Sequence, residues 1–141
     1  MTTADQRQFS IARDMFAADT ASQALGIEVL ELEQGRASVT MTVTDAMVNG
    51  HGITHGGYVF LLADTAFALA CNSGHQAAVS ARADIRFLRS TELGAVLTAT
   101  AVERSTFGRN GIYDVTVTDA ADFVVAEFRG DSRLISESLP R

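Results

Sequence analysis

The sequence predicts one α+β domain in which a mostly antiparallel sheet wraps around a single long helix. The segment 55–72 is apolar almost all round, which is typical of a buried helix rather than a surface helix. After Gly74, four segments alternate apolar and polar residues with a period of two and are separated by short turns, a pattern that favours antiparallel strands. The chain has 141 residues without a linker or internal repeat, so residues 1–141 are expected to form a single domain.

The N-terminal region predicts an amphipathic helix over about residues 4–19, followed by a short helical turn. The apolar residues that share one face of this helix are Phe9, Ala12, Met15 and Phe16. The turn ASQALG is expected to end at Gly26, because glycine commonly terminates helices.

Two strands are expected between this region and the long helix. The segment IEVLELEQG alternates apolar residues such as Ile27 and Val29 with acidic ones, and RASVTMTVT alternates apolar residues with Ser and Thr. A turn at 34–35 would join them into a hairpin. The loop DAMVNGHGIT then leads into the helix, with Thr54 as the expected N-cap.

The composition narrows the classes of function. The net charge of −6 and pI of about 4.9 make nucleic acid and anionic membranes unlikely partners on electrostatic grounds. No segment has the apolar core of a signal peptide or the ~20 apolar residues of a membrane span, so a cytoplasmic location is expected. Cys71 is expected to be a small buried hydrophobe, and no Cys/His spacing indicates a zinc site.

The long helix carries a single carboxylate, Asp64, among uncharged neighbours. Three polar residues spaced seven apart form a narrow stripe on this helix: Tyr58, Thr65 and Asn72. Asp64 lies off this stripe. Two interpretations stay open. Asp64 reaches the surface or pairs with an arginine such as Arg82 or Arg86, or it lies in a dry cleft where desolvation makes it a stronger base or nucleophile.

The start of the helix supplies a second candidate group. Gly56 and Gly57 occupy the first turn, whose backbone N–H groups have no partner within the helix. Without side chains there, a ligand oxygen could approach these donors, and the positive end of the helix would favour the negative charge of an oxyanion. The alternative is that the two glycines only permit close packing against a strand.

The spacing of these two groups has a structural consequence. Gly56 and Asp64 are eight residues apart, or ~12 Å along a helix axis. A general base and an oxyanion hole must both lie within ~3 Å of one reacting carbonyl group. One helix cannot supply both to the same substrate, so if both act, Asp64 works with the partner subunit's Gly56 in a two-fold dimer.

Three polar residues precede the helix. His51 and His55 are four residues apart, but His51 lies in a Gly-rich loop and no glutamate follows as in zinc proteases, so no metal site is predicted. His55 is expected either to hydrogen-bond near the oxyanion site or only to cap the helix. Asn49 is expected either to orient a carboxylate or water, or to be an ordinary turn residue.

The motif NGHGITHGGYVFLLADTAFALACNS resembles the signature of the PaaI-type hotdog-fold thioesterases of phenylacetate degradation. The segments IRFLRS, GIYDVTV and FRGDSR fit the same pattern, and the resemblance spans about residues 11–135. It implies a five- or six-stranded antiparallel sheet around the central helix, in a homodimer that assembles into a homotetramer. It also implies hydrolysis of an acyl-CoA thioester, above all phenylacetyl-CoA or a ring-hydroxylated relative, with no cofactor beyond the CoA of the substrate.

The resemblance assigns roles to named positions. Asp64 would be the catalytic carboxylate, attacking the thioester or activating water, and the partner subunit's Gly56 N–H would polarise the thioester carbonyl. His55 would support that end of the site, Asn49 would help to position substrate or water, and Thr65 would orient Asp64. The residues expected to contact substrate or CoA are Gly57, Phe60, Phe67, Arg89, Arg109 and Arg129.

Two points remain open within the resemblance. The three arginines are candidates for the CoA phosphates, with solvated charges at strand ends as the alternative. Some relatives carry an Asn in the N-terminal helix that reaches the catalytic centre, whereas here Ala17 and Ala18 precede Asp19. That role is therefore not transferred.

Two other functions stay open: a hotdog hydratase or dehydratase, and a non-catalytic acyl-CoA binding module. A carboxylate in the H-G-G…A-D-T context matches the thioesterase pattern rather than the hydratase pattern. No DNA-binding element accompanies the domain, and the acidic pI disfavours a regulator.

Overall fold

The computed structural model describes residues 8–135, in which three α-helices and six strands follow the predicted order, with one short 3₁₀ helix at Asp45–Met47. The helices are α1 Ser10–Ala17, α2 Thr20–Ala24 and α3 Gly56–Cys71. The strands are β1 Glu28–Glu33, β2 Arg36–Thr42, β3 Ala78–Phe87, β4 Val96–Phe107, β5 Asn110–Thr118 and β6 Val124–Leu134. The first residues of the helix predicted over 4–19 lie outside the described residues.

All six strands form one antiparallel sheet in the order β1-β2-β4-β5-β6-β3. The prediction of an antiparallel sheet wrapped around one helix is confirmed, with six strands. Helix α3 contacts every strand of the sheet, which requires the sheet to curve around it. None of the helices within residues 8–135 is long and apolar enough to cross a bilayer.

The core lies between α3 and the sheet. From the helix, Leu62, Ala66 and Phe67 are at most 1% exposed. Inward-facing residues of the central strands, such as Val39 and Val115, complete the core and are fully buried. Fully burying an aliphatic or aromatic side chain contributes ~1.5–3 kcal/mol, so this contact fixes α3 against the sheet.

Helix α3 leaves one face half-exposed, although its sequence predicts burial all round. The residues of this face recur every three or four positions and so share one side of the helix. They are Gly57, Phe60, Leu61, Asp64 and Ala68, and we call them the open face of α3. The sheet covers the opposite side, so the open face is where a further molecule could pack against the helix.

The prediction of Thr54 as the N-cap of α3 is wrong, because His55 occupies that position. The Nδ1 atom of His55 accepts a hydrogen bond from the Gly57 N–H at 2.9 Å. Thr54 is buried instead: its N–H donates to the Thr91 carbonyl at 2.9 Å, and its hydroxyl lies 2.8 Å from that of Thr91. Because Thr91, in the loop before β4, engages the Thr54 hydroxyl, that hydroxyl does not cap α3, and His55 takes the N-cap position.

Strand β1 is more exposed than its alternating pattern predicts. Val29 is 37% exposed and Leu30 is 56% exposed. The strand lies at one edge of the described sheet, and its pairing register shifts between Val29 and Glu31. A bulge at an edge strand turns side chains away from the face they would otherwise share.

Candidate active site

Asp64 lies half-buried on the open face of α3. Burial is the main cause that raises its pKa, and the negative charge of Asp19 raises that pKa further. Within the described chain neither Arg82 nor Arg86 forms an ion pair with Asp64, and Arg86 lies 3.7 Å from Asp84 instead. The carboxylate thus lies in a desolvating environment and not in a surface ion pair with either arginine, and its catalytic role stays a prediction.

The start of α3 offers one free backbone donor. Since His55 accepts from the Gly57 N–H, that group is already engaged. No residue in the described part of the chain accepts a hydrogen bond from the Gly56 N–H. Gly56 is therefore the donor that a ligand oxygen could use, and the helix N-terminus adds partial positive charge there.

The ring of Phe87 packs against Gly56. A Cβ atom placed on Gly56 would lie 3.0 Å from Phe87 Cζ and 3.3 Å from Cε1. The absence of a side chain at Gly56 thus allows close packing against the end of β3, as the alternative interpretation expected. The Gly56 N–H has no acceptor in the described chain, so the two interpretations of this glycine are compatible.

A cavity of about 350 Å³ lies at the start of α3. Gly56, Val59 and Phe87 line it, together with Asn49 and Arg89. The Arg89 guanidinium lies 4.1 Å from the centroid of the Phe123 ring, which holds the side chain by a cation–π contact. The cavity therefore has apolar walls, one backbone donor and one cationic group.

Asn49 stabilises the turn before α3 and also lines this cavity. Its Oδ1 accepts hydrogen bonds from the N–H of His51 at 2.9 Å and the N–H of Ile53 at 3.4 Å. These bonds hold the loop before α3 in shape. Since Asn49 belongs to the cavity wall, a role in positioning substrate or water stays a prediction.

Asp64 and the cavity are separated within one chain. Asp64 does not line the cavity at Gly56. The two positions are eight residues apart in one continuous α-helix, so they stand ~12 Å apart along the axis. The geometry keeps the carboxylate and the donor of the same chain from meeting on one carbonyl group.

Three other predicted site residues lie apart from this cavity. The Thr65 hydroxyl donates to the Leu61 carbonyl at 2.9 Å, and in the described chain it makes no hydrogen bond to Asp64. Phe67 is 1% exposed and packs in the core. Phe60 is half-buried on the open face, with its ring centroid 5.3 Å from that of Phe128.

Of the three predicted phosphate-binding arginines, only Arg89 lines this cavity. Arg109 donates to the Leu134 carbonyl at 2.8 Å, next to the β4–β5 turn. Arg129 makes a two-pronged ion pair with Asp114, at 2.7 and 2.9 Å, on the outer side of the sheet. That ion pair lowers the pKa of Asp114, and it indicates that Arg129 acts as a structural charge.

Two further observations bear on the predicted chemistry. Cys71 is a buried free cysteine, and burial raises its pKa to about 12, so it is a neutral hydrophobe as expected. Among residues 8–135, no group of three or more His, Cys, Asp and Glu side chains could hold a metal ion.

Sequence reasoning missed Phe87 and Ser22. Phe87 ends β3 within the IRFLRS segment, two residues before Arg89, but its contact with Gly56 depends on the sheet. Ser22 lies three residues after Asp19, the spacing of a helix N-cap and its bonded residue, which was the available signal. Its hydroxyl reaches Thr65 of α3 at 2.9 Å.

Known proteins match this chain over most of its length. The thioesterase superfamily profile matches residues 51–126. The acyl-coenzyme A thioesterase PaaI of Escherichia coli (strain K12) is 45% identical over 128 residues, which cover 91% of each protein.

Two solved structures share its architecture. The structure of the E. coli PaaI protein from the phenylacetic acid degradation operon superposes with a TM-score of 0.89 and 43% identity, covering 96% of this chain and 98% of that one. A protein of Streptococcus mutans UA159, solved bound to acetyl-CoA, superposes with a TM-score of 0.75 and 28% identity, covering 80% of this chain and 91% of that one. With its six-stranded antiparallel sheet around α3, the chain belongs to the thioesterase superfamily and has the hotdog fold.

Proposed function

We propose that the protein hydrolyses an acyl-CoA thioester to the free acid and CoA, with phenylacetyl-CoA or a ring-hydroxylated relative as the preferred substrate. The observation that carries this proposal is Asp64, a carboxylate of raised pKa on the open face of a helix that begins with a free Gly56 N–H. Membership of the thioesterase superfamily and the similarity to an acyl-coenzyme A thioesterase support it.

Hydrolysis of the thioester can follow either of two paths, and both need a carboxylate and an oxyanion donor. In one path the Asp64 carboxylate attacks the thioester carbonyl, CoA leaves as the thiolate, and water hydrolyses the resulting anhydride. In the other path Asp64 takes a proton from water, which attacks the carbonyl directly, and CoA leaves as the thiolate and is protonated to the thiol. In both paths negative charge develops on the carbonyl oxygen, where the Gly56 N–H would stabilise it. Neither path calls for a cofactor besides the CoA of the substrate.

The proposed active unit is a two-fold dimer. Because Gly56 of the same chain stands ~12 Å from Asp64, the carboxylate would act with the partner subunit's Gly56. The open face supports this arrangement, since it presents apolar Phe60 and Leu61 beside Asp64. A dimer that covers this face would bury apolar area, dry Asp64 and create two equivalent sites. We propose that two such dimers assemble into a homotetramer.

Arg89 is our assignment for a CoA phosphate. It lines the cavity at Gly56, and its guanidinium is held against Phe123 without a carboxylate partner in the described chain. Arginine offers several donors in a fixed plane, which suits a phosphate group. The pantetheine arm would then lead from this rim toward the thioester.

The test is thiol release from phenylacetyl-CoA and a panel of straight-chain acyl-CoAs. Asp64→Asn is expected to lower kcat by ~10³-fold or more, because it removes both the nucleophile and the base. Asp14→Asn makes the same charge change on an exposed residue of α1 and is expected to turn over normally. Normal turnover by Asp64→Asn would show that Asp64 is not catalytic.

The remaining alternatives give different results in the same assay. A non-catalytic module would bind acyl-CoA without releasing thiol. A hydratase or dehydratase would change the absorbance of an enoyl-CoA or hydroxyacyl-CoA and release no thiol either.

A further inference from the structure

A second carboxylate, Asp19, is fixed beside α3 by a chain of short contacts. Its Oδ1 accepts from the Ser22 N–H at 3.0 Å, and its Oδ2 accepts from the Ser22 hydroxyl at 2.6 Å. Ser22 is 1% exposed, and its hydroxyl lies 2.9 Å from the hydroxyl of Thr65. Since Thr65 follows Asp64 in the chain, the N-terminal region is attached to α3 next to the candidate catalytic carboxylate.

The three contacts in this chain need one more hydrogen than its two hydroxyl groups supply. The contacts Asp19–Ser22, Ser22–Thr65 and Thr65–Leu61 each need a hydrogen between two oxygens. An ionised carboxylate only accepts, and each hydroxyl donates once, so two hydrogens serve three contacts. An asparagine in place of Asp19 would donate the third.

The negative charge of Asp19 acts on Asp64. After burial, Asp19 is the cause that raises the pKa of Asp64. In the described chain, no charged group on the six strands adds to these two causes. On α3 itself, Cys71 is the neighbouring titratable group, and its pKa of about 12 keeps it neutral.

We propose that Asp19 is a positioning residue for the hydrolysis: Ser22 and Thr65 fix its carboxylate beside α3, where its negative charge makes Asp64 a stronger proton acceptor or nucleophile. This inference rests on the proposed function, in which Asp64 is the catalytic residue. It gives the N-terminal region a part in the reaction although no side chain of α1 is assigned to the site.

The first test compares pH profiles of kcat/KM. Asp19→Asn keeps the N-cap of α2, because asparagine caps as well as aspartate, and it supplies the missing hydrogen. Loss of the charge is expected to move the acidic limb to lower pH and to lower the plateau roughly threefold, with KM nearly unchanged. Asp14→Asn, the control of equal charge change, is expected to follow the wild type. An Asp19→Asn profile that coincides with that of the wild type would overturn the proposal.

The role of the bridge is tested by Ser22→Ala. This variant keeps the Asp19 charge but removes its connection to Thr65, so the acidic limb is expected to move in the same direction by a smaller amount. A profile identical to that of the wild type would show that Ser22 does not position the charge.

A third measurement does not depend on turnover. The side-chain carboxyl carbon of Asp64 is followed by ¹³C NMR over a pH titration and assigned with Asp64→Asn. The midpoint for Asp64 is expected at lower pH in Asp19→Asn than in the wild type. An unchanged midpoint overturns the inference even if thioesterase activity is found, and a shifted midpoint supports it even if the substrate assignment fails.

Discussion

At the scale of the residue, Asp64 combines reactivity with a cost to stability. Burial and the charge of Asp19 both raise its pKa above the ordinary value of 3.8, so the folded protein binds this proton more tightly than the unfolded chain. The free energy of unfolding therefore falls as the pH rises from 3.8 through the raised pKa of the folded protein, and at higher pH the ionised side chain is destabilising. Active sites commonly carry such a cost.

The corresponding variant is expected to be more stable and inactive. Asp64→Asn should raise the free energy of unfolding at pH 7 by on the order of 1 kcal/mol. The gain should shrink as the pH falls from the raised pKa of Asp64 toward 3.8 and should be lost below 3.8, where the carboxyl is neutral in both the folded and the unfolded wild type. Urea unfolding at both pH values measures this, with Asp14→Asn as the exposed control. A loss of stability at pH 7 would contradict the assigned environment.

Gly56 allows its backbone donor to be removed without disturbing the helix start. Gly56→Pro places proline at the first helical position, where proline is favoured. Because proline has no backbone N–H, the substitution removes the donor. His55 has φ −62° and ψ 131°, the extended conformation that a residue before proline requires. We expect kcat for the acyl-CoA substrate to fall ~10²-fold or more, with little change in thermal stability.

The control for this variant is Gly56→Ala, which keeps the N–H. Its Cβ meets Phe87 Cζ at 3.0 Å, so it reproduces the crowding that proline also introduces. A kcat for Gly56→Ala well above that of Gly56→Pro assigns the loss to the donor. Equal losses would assign it to displacement of the Phe87 ring.

The sequence indicates Asp64 and Gly56 because both are visible in the local pattern. One is a charge among apolar residues, and the other is a position without a side chain at a helix start. The contacts of Phe87 with Gly56 and of Ser22 with Thr65 join segments far apart in the chain. No local period encodes such contacts, so they emerge only when the sheet and α1–α2 pack on α3.

At the scale of the element, the long helix and the hairpins follow from periodicity, whereas their ends depend on tertiary contacts. Thr54 has the right residue type for an N-cap, but Thr91 engages it and His55 takes the position. Asn72, on the predicted polar stripe, is buried and hydrogen-bonds Ala78 at the start of β3 through both its amide nitrogen and its oxygen. Two residues of the stripe, Thr65 and Asn72, thus attach other chain segments to α3.

A close approach of helix and sheet gives a prediction at this scale. A Cβ on Gly130 of β6 would lie 2.7 Å from Phe67 Cζ, inside the core. Gly130→Ala is therefore expected to lower the free energy of unfolding by about 1–3 kcal/mol through overpacking. Urea unfolding measures the loss. Gly74→Ala is the control, since a Cβ there meets nothing within 4 Å.

A second substitution shows whether the Phe67 ring causes that loss. In a Phe67→Leu background the smaller side chain leaves room, so the cost of Gly130→Ala should decrease and the two effects should not add. Additive losses would mean that the backbone of β6, rather than the ring, resists the change.

At the scale of the whole molecule, one chain contains the two parts of the proposed site but holds them apart. The carboxylate lies on the open face of α3, and the free donor lies ~12 Å away beside the cavity at Gly56. In the proposed dimer each site combines Asp64 of one protomer with Gly56 of its partner. A variant without the carboxylate and a variant without the donor, each inactive alone, should then restore activity when they form mixed dimers.

Co-expression of Asp64→Asn and Gly56→Pro chains tests this arrangement. Each mixed dimer would have one site with both defects and one site with none. Random pairing makes half of the dimers mixed, so about a quarter of the wild-type kcat per site is expected from the mixture. Co-expression of Asp64→Asn with the double variant Asp64→Asn/Gly56→Pro is the control, because no chain then supplies the carboxylate. If the first mixture stays as inactive as its components, the catalytic groups do not cross between subunits, and Asp64 must find its oxyanion donor elsewhere in its own chain.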